Sequence, residues 1–288
     1  MPSTLSRSGR IQLVRIDIAR LREDLAEIET FRFDEPYKDF VCGRWQSCML
    51  YNQDGDAASA ALGAHDKPAV ATEFGARLPF ISDFIASTFC TDKLRFARLA
   101  RIMPRTVLVP HCDYLELKEP LRRIHIPLVS DDQSFLSENH VVYRMRVGEM
   151  WFINATQPHS AASFSETSRL HLIVDFVAGQ RLGDVCFGPV TEPQGIAEDA
   201  IVVRPCLTSV DVDGIMALSA VIDEDNYRDI LALLIRKHFR YHSEAAGVFD
   251  WLAAIANNSG NRSLVKRVEV DAKYFLKTRA FDGTTSVH

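Results

Sequence analysis

The first part of the chain changes from a strand-like to a helix-like hydrophobic pattern. Residues 10–17 alternate polar and apolar side chains, as a half-buried strand does. The residues that follow place Ile18, Leu21, Leu25 and Ile28 on one helical face. This pattern predicts a strand followed by an amphipathic helix.

Two further segments precede the central part of the chain. Residues 52–68 are small, polar and rich in helix-breaking residues, so they predict a loop. Residues 77–89 predict an amphipathic helix with Pro79 near its start, where a proline is well tolerated.

From about residue 94 to residue 176 the chain consists of short β-rich segments separated by turn-forming residues. The segments are LRFARLARI, RTVLVPH, RRIHIPLV, HVVYRMRV, EMWFINA, SAASFS and RLHLIVDF. Many short strands without helices between them are typical of a sandwich or barrel. We therefore predict a mainly β fold, a double-stranded β-helix (a jelly-roll, cupin-like barrel) with flanking N-terminal helices.

Helical periodicity returns after residues 177–210, which show little periodicity and are predicted to be a linker. Residues 223–242 place five side chains on one helical face, namely Tyr227, Ile230, Leu231, Leu234 and His238. Two more helices follow, broken at residues 258–260. We predict a jelly-roll domain at residues 1–180 and a helical C-terminal domain at residues 205–288; the helices could instead cap the barrel.

Composition and charge narrow the class of protein. Hydrophobic residues make up 47% and charged residues 25%, as in ordinary globular proteins. A net charge of −5 with scattered Lys and Arg predicts no nucleic-acid partner. The chain shows no signal peptide and no run of about 18 apolar residues, so we expect no membrane segment. Six cysteines without a CxxC pair favour reduced thiols in a cytoplasmic protein.

His111 and Asp113 form a candidate metal-binding pair. In a strand, residues i and i+2 point to the same face, so both side chains could reach one point inside a barrel. His159, which follows the predicted strand 149–154, is the candidate third ligand. Two imidazoles and one carboxylate form the facial triad of non-haem Fe(II) oxygenases, which leaves positions open. The HxD pair alone is weak evidence, and both histidines could instead be hydrogen-bonded core residues.

Arginines accompany these residues along the predicted strands. Arg169 begins the strand RLHLIVDF and could pair bidentately with a carboxylate. Arg123 and His125 share one strand face and could hold or flank the same carboxylate. Arg98 and Arg101 lie three residues apart on one strand and so face opposite ways; we expect Arg98 to point inward.

The chain resembles the bacterial Fe(II)/2-oxoglutarate-dependent L-proline cis-4- and cis-3-hydroxylases, which are related to the aspartyl/asparaginyl β-hydroxylases. The matching stretches run through nearly the whole chain: CGRWQSCML (42–50), RFARLARI (95–102), VLVPHCDYLEL (107–117), RIHIPLV (123–129), GEMWFINATQPHSAASFS (148–165), SRLHLIVDF (168–176) and NYRDILALLIRKHF (226–239).

The resemblance implies a role for each candidate residue and a set of cofactors. His111, Asp113 and His159 would bind Fe(II) as the catalytic metal, with O₂ and 2-oxoglutarate as co-substrates. Arg169 would bind the distal carboxylate of 2-oxoglutarate, and Arg123 and His125 would assist around it. Related iron halogenases replace the carboxylate ligand by a small residue, so an aspartate at position 113 implies hydroxylation.

The resemblance also implies a small-molecule substrate, a free cyclic amino acid such as L-proline or L-pipecolate. The products would be the hydroxylated amino acid, succinate and CO₂. The substrate carboxylate needs a second cation, for which we favour Arg98, and Trp45 and Trp151 are candidate apolar walls. A non-cyclic amino acid, a peptidyl Asp or Asn residue, or a non-catalytic metal-binding barrel are the alternatives. A homodimer is a further possibility.

Overall fold

The computed structural model describes residues 7–58, 65–115 and 120–278, which contain twelve strands and eight α-helices. The strands are β1 (Gly9–Leu13), β2 (Val41–Cys42), β3 (Trp45–Asn52), β4 (Val70–Ala71), β5 (Leu94–Ile102), β6 (Val107–Leu108), β7 (Arg122–Val129), β8 (Ser134–Glu138), β9 (Val141–Tyr143), β10 (Glu149–Ile153), β11 (His159–Ser163) and β12 (Arg169–Phe176). The helices are α1 (Ile18–Ile28), α2 (Glu73–Ala76), α3 (Pro79–Thr88), α4 (Leu182–Val185), α5 (Ser209–Met216), α6 (Tyr227–Arg240), α7 (Gly247–Ser259) and α8 (Arg262–Leu276). Among these residues, every helix is too short or too polar to cross a membrane.

The strands form two antiparallel sheets with a jelly-roll topology. The large sheet has the order β1-β10-β7-β12-β5-β3-β4, and the small sheet has the order β2-β6-β11-β8-β9. From β5 to β12 the chain passes from one sheet to the other at every step except between β8 and β9. This alternation pairs β5-β12-β7-β10 with β6-β11-β8-β9 and confirms the predicted double-stranded β-helix.

In the large sheet, the position of a residue along its strand decides which face its side chain lies on, since neighbouring residues point to opposite faces. In β12, Leu170, Leu172 and Val174 pack into the core on the outer face. Arg169 and His171 instead face the cavity between the sheets. In β7, Arg123 and His125 likewise face the cavity while Ile124, Ile126 and Leu128 pack outward, whereas β5 places Arg98, Ala100 and Ile102 inward and Arg101 outward.

Helices α1 and α3 cover the outer face of the large sheet. Leu21 and Ile28 from α1, and Ile81 and Ile85 from α3, lie in the same hydrophobic cluster as the outward side chains of the strands. Pro79 is the first residue of α3, as predicted, where its missing N–H costs no helical hydrogen bond. The burial of this apolar face holds the N-terminal helices on the barrel.

The C-terminal helices cover the outer face of the small sheet. Val107, Phe135 and Ala162 from that sheet share a hydrophobic cluster with Leu231 of α6 and Leu252 of α7. The helices therefore pack on the barrel of the same chain, and one core crosses between the predicted domains at residues 1–180 and 205–288. The division of the chain into these two domains stays a prediction.

Several elements differ from the sequence prediction. Strand β8 was not predicted, because the turn-forming residues SDDQS run into its first residue. Strand β3 was not predicted either. The predicted strand at residues 105–111 ends at Leu108. The predicted linker 177–210 contains α4, whose Leu182 and Val185 are fully buried. The predicted loop 52–68 lies partly outside the described residues.

The shared core predicts that a cavity in α6 destabilises the whole molecule. Leu231 is fully buried, whereas Leu233 on the same helix is 41% exposed. We expect Leu231→Ala to lower the free energy of unfolding by about 2–5 kcal/mol in a single transition. The matched control Leu233→Ala should lower it by less than about 0.5 kcal/mol. Urea unfolding followed by circular dichroism measures both; separate transitions for strands and helices would contradict the shared core.

Candidate metal centre and cavity

The three predicted metal ligands lie together at one end of the space between the sheets. Ligand atoms of His111, Asp113 and His159 all lie within 4.8 Å of one another. Asp113 Oδ1 is 3.4 Å from His111 Nε2, and Asp113 Oδ2 is 4.0 Å from His159 Nε2. Two imidazoles and one carboxylate on one side of a common point suit a divalent metal such as Fe(II).

Backbone hydrogen bonds bring the ligands together. His111 and His159 form an isolated β-bridge in which each N–H donates to the carbonyl of the other at 2.9 Å. The Asp113 N–H donates to the Ala155 carbonyl at 2.7 Å, in a bend that follows the bridge. The pair of His111 and Asp113 therefore lies on a loop after β6. The prediction that both residues belong to a continuous strand was wrong.

The two imidazoles are oriented by hydrogen bonds on their far side. His111 Nδ1 lies 2.7 Å from the Val109 carbonyl, and His159 Nδ1 lies 2.9 Å from the Gln157 carbonyl. A carbonyl only accepts, so Nδ1 of each ring carries a hydrogen, and Nε2 is the nitrogen that lies towards Asp113. Burial, and then the neighbouring His111, lower the pKa of His159 to about 3. His159 is therefore neutral at physiological pH and able to bind a metal.

Arg123 connects Asp113 to a second buried carboxylate. Its Nε and Nη2 donate to Asp175 at 2.8 and 3.2 Å, and its Nη1 donates to Asp113 Oδ2. The Tyr114 hydroxyl also donates to Asp175, at 2.9 Å. Burial acts to raise the pKa of Asp113, but Arg123 and then His111 outweigh it and hold that pKa well below its usual range. Asp113 is therefore ionised, as a metal ligand must be.

A cavity extends from the three ligands between the sheets. It is lined by charged and polar side chains from the large sheet and by aromatic and aliphatic side chains around them. The lining residues are Tyr37, Phe40, Val41, Trp45, Arg98, Ala100, Ile102, Leu108, His111, Asp113, Tyr114, Arg123, His125, Leu136, Ile153, His159, Ser160, Ala161, Arg169, His171 and Ile173.

Two arginines in this cavity have no carboxylate partner within the described chain. Arg169 is 5% exposed, donates from Nε to His171 Nε2 at 2.9 Å, and has an unpaired Nη1. Arg98 is 4% exposed, has unpaired Nε and Nη1 atoms, and lies 5.7 Å from the centre of the Trp45 ring. Burial lowers the pKa of Arg169 to about 9, which still leaves it positively charged at neutral pH.

Two buried histidines line the cavity together with the arginines and add no charge to it. Burial, and then Arg123, lower the pKa of His125 well below its usual range. Burial, and then Arg169, do the same to His171. His125 Nδ1 has no hydrogen-bond partner among residues 7–58, 65–115 and 120–278. The cavity thus offers neutral hydrogen-bonding groups beside its cations.

The structure places eight of the nine predicted site residues on this cavity, and the exception is Trp151. Its side chain is fully buried, stacks on Tyr143 at 5.3 Å and donates from Nε1 to Glu149 at 2.9 Å. Trp151 therefore packs in the barrel core beside the cavity, which corrects its predicted place in the wall. The ligand-binding roles of the other eight residues stay predictions.

The sequence analysis did not identify several residues of the cavity. His171 and Asp175 follow Arg169 at spacings of two and six, so the alternation of β12 already places them on its inner face. Tyr37 and Phe40 belong to an irregular segment between α1 and β3, where periodicity provides no signal.

This chain is similar to known proteins over nearly its whole length and nearly the whole of theirs. Residues 10–178 match the family model "Aspartyl/Asparaginyl beta-hydroxylase", and residues 185–283 match "L-proline 3-hydroxylase, C-terminal". An L-proline cis-4-hydroxylase of Rhizobium meliloti (strain 1021) is 35% identical over 92% of this chain and 94% of its own length. Two L-proline cis-3-hydroxylases of Streptomyces sp are 32% and 30% identical, over 94% and 98% of this chain and 94% and 99% of their own lengths.

The ligand geometry predicts that metal binding depends on His159. Removing a ligand should weaken binding of Mn²⁺, a redox-stable substitute for Fe(II), by about 100-fold or more, since even loss of an outer partner costs up to that much. Isothermal titration of His159→Ala measures the loss. His140→Ala is the matched control, because His140 is exposed and pairs with Glu244. Equal affinity of His159→Ala and the unaltered protein would exclude this metal centre.

Proposed function

The chain belongs to the L-proline hydroxylases of the aspartyl/asparaginyl β-hydroxylase family, and on this basis we propose that it hydroxylates a free cyclic amino acid such as L-proline. The proposed enzyme is an Fe(II)/2-oxoglutarate-dependent dioxygenase that forms the hydroxylated amino acid, succinate and CO₂. The observation that carries this proposal is the His111–Asp113–His159 cluster beside two buried arginines without carboxylate partners in the described chain.

The metal would be held by Nε2 of His111, Nε2 of His159 and one carboxylate oxygen of Asp113. Bound Fe(II), with 2-oxoglutarate and O₂, supplies the oxidising power that places one oxygen atom into a C–H bond. The protein supplies two imidazoles oriented by backbone carbonyls and an ionised carboxylate, whose pKa Arg123 holds low. The apolar wall around the ligands limits the access of water to the reacting groups.

Two carboxylates would enter the cavity without being neutralised by the metal: the distal carboxylate of 2-oxoglutarate and the carboxylate of the amino acid. The two arginines match them in number and charge. Burying an unpaired carboxylate is costly, so each needs a cation within reach. We assign the distal carboxylate of 2-oxoglutarate to Arg169, with Arg123 and His125 beside it. We assign the carboxylate of the amino acid to Arg98, with Trp45 as an apolar wall. A non-catalytic metal-binding barrel would need neither arginine.

The direct test of this function is turnover. The purified protein is loaded with Fe(II) without oxygen, mixed with 2-oxoglutarate and air, and supplied with single amino acids. We expect L-proline or L-pipecolate to stimulate succinate formation and to gain one oxygen atom, both measured by mass spectrometry. Failure of every free amino acid to stimulate succinate formation, in a protein that binds Fe(II), would refute the proposal.

Two arginines on the same strand provide a matched pair for the substrate carboxylate. Arg98 faces the cavity, whereas Arg101 faces outward and pairs with Glu29 at 2.6 Å. We expect Arg98→Ala to raise the KM for the amino acid by about 30-fold or more, because a buried carboxylate loses its cation. Its KM for 2-oxoglutarate should change little, and Arg101→Ala should alter neither constant. Steady-state kinetics decide; equal effects of both variants would rule out this role.

A further inference from the structure

One side of the cavity is formed by an irregular segment, residues 37–41, which we call the wall segment. Tyr37, Phe40 and Val41 line the cavity. The Phe40 ring contacts the His111 ring edge-on, with centroids 5.0 Å apart, and the Tyr37 ring lies 5.3 Å from Trp45. The wall segment therefore touches both a metal ligand and the proposed substrate wall.

The wall segment satisfies two of its own carbonyl groups, those of Tyr37 and Lys38, which accept from the Phe40 and Val41 N–H groups. It consists of a single 3₁₀ turn, Lys38–Phe40, that leads into the two residues of β2. The Phe40 carbonyl accepts from the Val109 N–H at 2.8 Å, which attaches the segment to the chain that leads to His111. The remaining carbonyls need donors from elsewhere in the fold.

Arg228, the second residue of α6, supplies those donors. Its Nη1 donates to the Asp39 carbonyl at 2.9 Å, and its Nη2 donates to the Val41 carbonyl at 2.6 Å and lies 3.4 Å from the Lys38 carbonyl. A planar guanidinium can bind several carbonyls at once, whereas the compact ammonium of a lysine is a poorer fit for this arrangement.

The helical region has a second contact with the same part of the site. The Cys112 N–H, between the two ligands of the HxD pair, donates to the Phe275 carbonyl near the end of α8 at 2.9 Å. The Phe275 ring packs edge-on against Phe40, with centroids 5.0 Å apart. Phe40 is therefore held between a metal ligand and the C-terminal helices.

We propose that the C-terminal helical region holds one side of the active-site cavity in place from behind, and that Arg228 is the positioning residue that fixes the wall segment for substrate binding. Arg228 does not line the cavity and acts only through the backbone of residues 38–41. The structural part of this inference stands without the proposed function; its kinetic consequence rests on that function.

Hydrogen exchange tests the structural part. The full-length, Mn²⁺-loaded protein is compared with Arg228→Met, and exchange is followed by mass spectrometry in peptides that cover residues 37–42. We expect at least about tenfold faster exchange, since hydrogen bonds to a charged donor are lost. The exchange rate of Arg228→Lys should lie between that of the unaltered protein and that of Arg228→Met. Unchanged exchange in a folded Arg228→Met variant would overturn the proposal.

Arg236 provides the matched control, because it lies on the same helix and also binds a backbone carbonyl. Its Nη2 donates to the Arg105 carbonyl at 3.1 Å, outside the wall segment. Arg236→Met should leave exchange in residues 37–42 unchanged. If Arg236→Met increases this exchange as much as Arg228→Met does, the effect reflects general loosening of α6 and the proposal is wrong.

Kinetics separate positioning from a purely structural role. With L-proline, Arg228→Met should raise the KM for the amino acid about tenfold and leave the KM for 2-oxoglutarate unchanged, with Arg228→Lys partly restoring it. It should also form more succinate per hydroxylated product. Faster exchange with unchanged KM and product ratio would refute positioning. If the unaltered protein turns over no amino acid, the proposed function fails, and the exchange result alone decides whether Arg228 holds the wall segment.

Discussion

The ion pair between Arg123 and Asp175 lets the barrel keep an ionised carboxylate at its centre. Asp175 is fully buried and takes two hydrogen bonds from Arg123, which uses its third nitrogen for Asp113. Without Asp175, Arg123 would be a buried cation with a single partner, and breaking such a pair is costly. Asp113 can therefore lie ionised beside His111 and His159, because Arg123 balances its negative charge.

The pairing of buried arginines with carboxylates also concerns the other two arginines of the cavity. Arg98, Arg123 and Arg169 line the cavity, and Arg123 pairs with both Asp113 and Asp175. Arg98 and Arg169 are the two that lack a carboxylate in the described residues. In the proposed function, the carboxylates of the co-substrate and substrate would pair with these two arginines.

Alternation along the strands made much of this site predictable from the sequence. Strands β5, β7 and β12 each place alternate residues inward, so Arg98, Arg123, His125 and Arg169 could be assigned to one cavity. The same rule applies to Trp151, which does point inward, but packing decides which part of the interior it reaches. The wall segment and the bend at Asp113 depend on contacts with residues far along the chain. A local sequence pattern does not reveal such contacts.

The two sheets support the site in different ways because their strands differ in length. In the large sheet, β5, β7 and β12 have nine, eight and eight residues, so continuous ladders hold the inward arginines and histidines in place. In the small sheet, β2 and β6 have two residues each, and β6 ends before His111 and Asp113, whereas His159 begins β11. The loop with His111 and Asp113 is held within the barrel by its bridge to His159, and both this loop and the wall segment are also held from outside the sheet. The C-terminal helices provide this outer support with a backbone carbonyl and one guanidinium, so the helical region supports the active site although its described residues do not line the cavity.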